Sequence, residues 1–207
     1  MNVLSESATR SASPATVHAI PTDADPAAAR RTVERALLRE VLMVAQDNLT
    51  NVLAVVLGVA VGAGRADIVA LAGLAAGIAE AISMGGVLYT GTQADRDLDA
   101  QAVRESTDGI LAPRAIRPRL SPFQAGAVTF VAGMIAGLVP LVPFLVLPLV
   151  PAMAVCVGIS IVALFGLGSW TASVTGRSWV RDGVRLVLIA GSAAAAAAIV
   201  GAVLRVS

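Results

Sequence analysis

Three side chains that could together bind a divalent metal ion lie in two apolar stretches of this sequence: Asp47, Glu80 and Met84. Glu80 and Met84 are four residues apart, so they share one face of a helix. If the two stretches pack as antiparallel helices, a rise of about 1.5 Å per residue places Asp47 and Met84 at similar depths, about 10 Å and about 7 Å from the bilayer midplane. Oxygen and thioether ligands in one site suit softer ions such as Fe²⁺ better than Mg²⁺ or Ca²⁺.

Glu80 carries the strongest functional signal of the three. An ionisable group near the bilayer centre costs roughly 2.5 to 3.5 kcal/mol on insertion scales, so its presence there favours a functional role. Each residue also has a structural interpretation: Met84 as the filler of a packing gap, Asp47 as a helix cap at the membrane surface, and Glu80 as a protonated carboxyl bonded within a helix bundle. The residues alone leave these alternatives open.

The composition is that of a polytopic membrane protein. Of the 207 residues, 57% are hydrophobic and 14% are charged, and the mean hydropathy is +0.81, which exceeds what a soluble core needs. A net charge of +1 and an aromatic content of 3% argue against nucleic-acid binding. Cys156 is the only cysteine and His18, in a polar tail, the only histidine, so neither an intrachain disulfide nor a zinc cluster is expected. No nucleophile and base pair is visible, and we do not expect an enzyme.

Hydropathy predicts an all-α protein with five transmembrane helices. The predicted spans lie near residues 44–63, 68–91, 123–142, 149–173 and 183–204. Charge cannot separate the third span from the fourth, because residues 121–175 contain no charged residue and no histidine. Proline separates them instead, and a tight apolar hairpin loop is predicted where four prolines cluster: Pro140, Pro143, Pro148 and Pro151.

The arginines predict how these spans are oriented. All 15 basic residues are arginine, and they concentrate before the first span, after the second span and between the fourth and fifth spans. With a cytoplasmic N-terminus, only Arg65 and Arg205 fall on the outside. The positive-inside rule therefore favours five spans with a cytoplasmic N-terminus and an external C-terminus.

The chain divides into three predicted parts. Residues 1–24 are rich in Ser, Thr, Ala and Pro and are expected to form a disordered tail. Residues 25–43, with Asp25 as N-cap and Pro26 at the first helical position, predict either an amphipathic helix on the membrane surface or a cytosolic extension of the first span. Residues 44–207 form the transmembrane domain, with a short cytoplasmic loop at 92–122.

Pairs of small residues recur on the first three spans. The segments GVAVG (58–62), GLAAG (73–77) and GMIAG (133–137) each match the small-xxx-small pattern, which lets membrane helices approach closely. They predict a tight helical bundle, and packing within one chain is favoured over a contact between subunits.

The sequence resembles the vacuolar iron transporter family over most of the chain after residue 40. AQDNLTNVLAVVLGVAVGAG resembles the family's first span with its Asp, and AISMGGVLYTGTQADRDL resembles the second span, with Ser83-Met84 followed by Tyr89. GRSWVRDGVRLVLIAG (176–191) resembles the entry to the fifth span. The resemblance implies a homodimer that exports Fe²⁺, and often Mn²⁺, in exchange for protons, with Asp47 and Met84 lining the pathway at the dimer interface.

The chain departs from the family pattern in three places. Asn48 follows the first-span Asp where the family commonly has Gly, and Leu88 stands where many members have a Glu before the tyrosine. Glu80 is expected to compensate for that missing carboxylate. Many members also insert a long Glu-rich domain between the second and third spans, whereas only about 30 residues connect them here, too few for such a domain. The chain resembles the short members of the family.

These observations predict an integral protein of the cell membrane that exports Fe²⁺ or Mn²⁺ from the cytoplasm by proton antiport. Asp47 and Met84 would bind the dehydrated ion, and Glu80 would bind it or carry the proton. No cofactor is expected, since the metal is the transported substrate, and the expected partners are protons, the lipid bilayer and a second copy of the chain. The alternative is a non-transporting membrane scaffold or accessory subunit, in which the polar groups only hold helices together.

Overall fold

The computed structural model describes residues 26–106 and 120–205, which are helical and contain no β-strand. Four of the six helices are more than 20 residues long, and α4 has only five residues. In chain order they are α1 Pro26–Ala63, α2 Ala66–Ser106, α3 Pro122–Leu138, α4 Val142–Val146, α5 Leu149–Thr175 and α6 Trp179–Val203. The all-α prediction is confirmed for the described residues.

Within residues 26–106 and 120–205, four helices are long and apolar enough to cross a membrane, by length and composition. Their qualifying segments, Leu37–Ala63, Ala66–Ala102, Leu149–Thr175 and Trp179–Val203, contain most of the first, second, fourth and fifth predicted spans. The third predicted span corresponds to α3, an apolar helix of 17 residues. At 1.5 Å per residue α3 is about 25 Å long, somewhat shorter than a typical hydrocarbon core.

Helix α1 is the centre of the bundle, because it packs against α2, α3, α5 and α6. Its buried side chains include Leu49, Val52, Leu53 and Val56, which belong to one continuous apolar core. Half of its apolar segment is buried inside the chain, against 28% or less for the other three long spans. The polar side chains that α1 carries are therefore held by a helix that neighbours fix on several sides.

Close helix contacts occur where glycine faces backbone. A Cβ added at Gly58 would lie 2.9 Å from the carbonyl oxygen of Ala197, so α1 and α6 approach at this level. On α2 and α3, an added Cβ at Gly126 would lie 2.8 Å from the carbonyl oxygen of Gly85. The small pairs predicted from sequence on the first three spans face other helices of the same chain, as do Gly168 on α5 and Gly183 and Gly201 on α6.

The connections end helices for identifiable reasons. Gly64 and Gly176 adopt left-handed backbone, with φ of 65° and 71°, and so allow sharp turns after α1 and α5. A capping box starts α3, in which the Ser121 hydroxyl accepts from the Gln124 N–H and the Gln124 side chain accepts from the Ser121 N–H, both at 3.1 Å.

The proline-rich connection differs from the tight hairpin that the sequence predicted. It contains the five-residue helix α4, which packs against α5 and α2. Pro143 lies in the first turn of α4 and Pro148 just before α5, the helix-start positions at which a missing N–H removes no helical hydrogen bond. The prolines therefore end α3 but also start two further helices.

Two helices extend beyond the predicted spans. Residues 26–63 form one uninterrupted helix, so the segment predicted as a juxtamembrane helix continues directly into the first span. Helix α2 continues to Ser106, inside the range predicted as a loop, because the residues after the span include good helix formers such as Gln, Ala and Arg. The predicted disordered tail, residues 1–24, lies outside the described residues.

Candidate functional site

The candidate site lies where α1 and α2 pack side by side in opposite directions. Val56 contacts Gly73, and Val52 contacts Gly77, so rising numbers on α1 meet falling numbers on α2. One turn further along this register, Asp47 lies at the level between Glu80 and Met84. The close approach at Gly73, where an added Cβ would lie 2.7 Å from Val56 Cγ2, limits any shift of this register.

Glu80 and Asp47 come together across the α1–α2 contact. The Glu80 carboxyl lies close enough to interact with the side chains of Asp47 and Asn51, and Asn51 lies one helical turn after Asp47. Two carboxylates this close repel each other when both are ionised, and a bound proton or a cation relieves that repulsion. This arrangement is an acidic pair with an amide beside it, a set of groups that can hold either a proton or a cation.

Met84 lies one turn beyond Glu80 on the same face of α2 and is partly buried. The register places its side chain near the level of Asp47, although no contact between the two is defined. Within residues 26–106 and 120–205, no three His, Cys, Asp or Glu side chains converge into a metal cluster. A metal at this site would therefore need neutral ligands beside the two carboxylates, and the Asn51 amide oxygen and the Met84 sulfur are the nearest candidates.

Asn48 anchors α1 against its neighbours directly beside Asp47. Its side chain is fully buried, and its Nδ2 donates a hydrogen bond of 3.3 Å to the carbonyl oxygen of Gly77. Its Oδ1 has no hydrogen-bond partner and faces Gly137, where an added Cβ would lie 2.6 Å away. Asn48 thus ties α1 to α2 and packs tightly against α3, which makes it a positioning residue for the acidic pair.

The acidic pair opens to the outer surface of the chain rather than into its core. Asp47 and Asn51 are exposed, and Glu80 is partly exposed. Val87, two helical turns after Glu80 on the same face of α2, is exposed as well. A carboxyl exposed to hydrocarbon at this depth is unfavourable, so this face requires cover by water or by protein.

Sequence reasoning selected Asp47, Glu80 and Met84, but it missed the parts that Asn48 and Asn51 play. The spacing of four residues between Asp47 and Asn51 is a signal that could have placed the amide in the site. Nothing in the sequence distinguishes Asn48, which faces α2 and α3, from its polar neighbours. The burial of Asn48 depends on how α1, α2 and α3 pack together. The periodicity of a single segment cannot predict that packing.

Comparison with known proteins identifies the family. The model of the VIT family matches residues 38–112 and 109–202, which together include all the residues of the candidate site. The chain is also 26% identical, over 148 residues, to an uncharacterized protein of Methanocaldococcus jannaschii, and that match covers 68% of this chain and 76% of the relative. The chain therefore belongs to the VIT family, whose members are membrane transporters of metal ions rather than enzymes.

Proposed function

We propose that this protein exports Fe²⁺ or Mn²⁺ from the cytoplasm in exchange for protons. The observation that supports the proposal is the pairing of the Asp47 and Glu80 side chains on two adjacent helices that are long and apolar enough to cross a membrane. Without metal, a proton bound at this pair would relieve the repulsion between the two carboxylates. A divalent cation needs both carboxylates deprotonated, so binding of the metal releases that proton, and return of the proton releases the metal.

The ligand set favours a transition metal over Mg²⁺ or Ca²⁺. Asp47 and Glu80 supply two carboxylates and Asn51 an amide oxygen, which alone would suit hard cations. The thioether of Met84, one turn away from Glu80, adds a softer ligand that Mg²⁺ and Ca²⁺ do not use. We therefore assign to Met84 the preference for Fe²⁺ or Mn²⁺, and to the carboxylates the charge neutralisation and the proton exchange.

A homodimer gives the exposed acidic pair the cover that it needs. A second copy placed on the α1–α2 face would remove Asp47 and Asn51 from hydrocarbon and would bring two equivalent ligand sets towards a two-fold axis. The exposed side chain of Val87, on the Glu80 face of α2, would add an apolar part to the contact. The transported ion would then pass between two copies rather than through one.

The proposed direction of transport follows from the arginine distribution. Five membrane crossings with a cytoplasmic N-terminus place the arginine-rich segments inside, and α3 would be the third crossing. In this orientation the level of Asp47 and Met84 lies on the cytoplasmic side of the membrane centre, where it would meet metal from the cytoplasm. The proposed location is the cell membrane.

Reconstituted vesicles test the proposal. Purified protein in liposomes that contain a metal-sensitive dye should show uptake of Fe²⁺ or Mn²⁺, and an opposing pH gradient should accelerate it. Vesicles without protein are the control for leakage, and Asp47→Asn vesicles are the control for the site. Absence of metal flux from correctly folded wild-type protein would contradict the transporter and favour the scaffold alternative.

A further inference from the structure

A second polar pocket lies on the other side of α1, between α1, α5 and α6. It has a volume of about 190 Å³. Its polar lining consists of Gln46, Thr171, Arg177, Asp182 and Arg185, and its apolar lining of Gly168, Leu186 and Ile189. The proposed transport does not use this pocket, because Gln46 faces α5 whereas the neighbouring Asp47 faces α2.

The pocket carries an excess positive charge. Arg177 Nε lies 3.3 Å from an Asp182 carboxylate oxygen, and this ion pair neutralises one arginine. Arg185 forms no ion pair among the residues that the structure describes. It lies six residues after the first residue of α6, which corresponds to about 9 Å along the helix. An unpaired arginine this far into a membrane helix is unfavourable unless an anion or the membrane surface accommodates its charge.

The remaining polar groups are arranged as donors. Gln46 Nε2 donates a hydrogen bond of 2.8 Å to the Thr171 hydroxyl, which donates in turn to the carbonyl oxygen of Leu167 at 2.8 Å. These bonds fix the Gln46 amide at the pocket and leave it a second N–H. With the guanidinium of Arg185, the pocket therefore offers several N–H groups to an anion, the pattern that binds phosphate oxygens.

Two tryptophans indicate the depth of the pocket in the membrane. Trp170, near the end of α5, and Trp179, the first residue of α6, are 53% and 58% exposed. Tryptophan is enriched at the level of the lipid headgroups, so the α5–α6 turn lies at that level. Leu186 and Ile189, which line the pocket further along α6, lie deeper. The pocket thus has a polar end at headgroup depth and an apolar end towards the hydrocarbon.

We propose that this pocket binds the phosphate group of an anionic phospholipid, with an acyl chain passing Leu186 and Ile189. Phosphate is the chemistry that Arg185 and the Gln46 amide recognise, and the apolar end distinguishes a lipid from a free phosphate ion. Asp182 keeps Arg177 in place and limits the net charge of the pocket to one positive unit. That charge matches a singly charged headgroup such as that of phosphatidylglycerol.

Lipid binding to the full-length purified protein tests this proposal. Binding of phosphatidylglycerol and of phosphatidylcholine with identical acyl chains is measured by native mass spectrometry on delipidated protein, with inorganic phosphate as competitor. We expect phosphatidylglycerol to bind at least about fivefold more tightly and millimolar phosphate not to displace it. Arg185→Gln should reduce this preference about fivefold, the effect of about 1 kcal/mol for one arginine near a charged lipid surface.

Arg181→Gln is the matched control, because Arg181 lies one turn earlier on α6, is exposed and does not line the pocket. It should keep the full preference. Equal binding of the two lipids to the wild type would overturn the proposal. The proposal would also fail if both variants lost the preference for phosphatidylglycerol equally, or if Arg185→Gln kept it in full. Displacement of the lipid by millimolar phosphate would identify a free anion as the ligand instead. If Arg185→Gln does not fold, Arg185→Lys should retain the preference, and the wild-type lipid comparison still decides the proposal.

Discussion

Gly137→Ala should destabilise the protein because it forces a methyl group against the side chain of Asn48. The added Cβ would lie 2.6 Å from Asn48 Oδ1, 3.2 Å from its Cγ and 3.3 Å from Val52 Cγ2. Asn48 is fully buried, so it cannot move into solvent. Its hydrogen bond to the Gly77 carbonyl oxygen is 3.3 Å long, and a shift of a few tenths of an ångström would break it.

The expected cost combines two effects. Overpacking of a tight helix contact costs about 1 to 3 kcal/mol, and a buried amide left without its hydrogen bond costs about 1 to 3 kcal/mol. Partial relaxation of α3 relieves some of both, so we expect the free energy of unfolding to fall by about 2 to 4 kcal/mol. Because Asn48 lies beside Asp47, metal flux through the surviving folded protein should fall as well.

Reversible unfolding in mixed detergent micelles measures the free energy change. Gly158→Ala, on α5, is the matched control, since an added Cβ there meets nothing within 4 Å and should be neutral or stabilising by up to about 1 kcal/mol. The double variant Gly137→Ala with Asn48→Gly removes the clash and should recover part of the loss. A Gly137→Ala protein as stable as Gly158→Ala would refute the packing assigned to Asn48.

Two further variants test the site and the bundle. Met84→Ala should lower the rate of Fe²⁺ flux in vesicles without unfolding the protein, because it removes a soft ligand and buries no charge. The control variant Met134→Ala, on α3, should keep the normal rate. Equal rates of Fe²⁺ flux for the two variants would show that Met84 is not part of the site. Gly201→Ala places a Cβ against the carbonyl oxygen of Gly58, so it should lower the free energy of unfolding in micelles by about 1 to 3 kcal/mol. Gly191→Ala should leave that free energy unchanged, because a Cβ added there meets nothing within 4 Å. Similar stability of these two glycine variants would contradict the close approach of α1 and α6.

Much of the architecture could be predicted from the sequence, because the thickness of the hydrocarbon core fixes how many apolar residues a membrane-spanning helix needs. Stretches of about 20 apolar residues mark where helices cross, and four of the predicted spans correspond to long helices. The similar depth of Asp47 and Met84 could also be estimated from the sequence, since antiparallel neighbours with a fixed rise per residue have a calculable register. That estimate needed only the assumption that the first two spans pack against each other.

The remaining features depend on properties that hydropathy does not report. The continuation of α2 to Ser106 depends on helix propensity outside the membrane, where the apolar signal has ended. Helix α4 exists because prolines are compatible with the first turn of a helix, so a proline cluster does not imply a loop throughout. The role of Asn48 arises from the meeting of α1, α2 and α3, which no single segment of sequence contains.

The most direct test of the proposed proton exchange is metal flux through Glu80→Gln protein in vesicles with and without an opposing pH gradient. Glutamine keeps the size and the hydrogen-bonding capacity of Glu80 towards Asp47 and Asn51, so folding should survive, but it cannot release a proton. We predict that a pH gradient accelerates metal flux in wild-type vesicles and has no effect in Glu80→Gln vesicles. Flux through Glu80→Gln that still responds fully to the gradient would contradict the account and would assign the proton to another residue, with Asp47 the next to test.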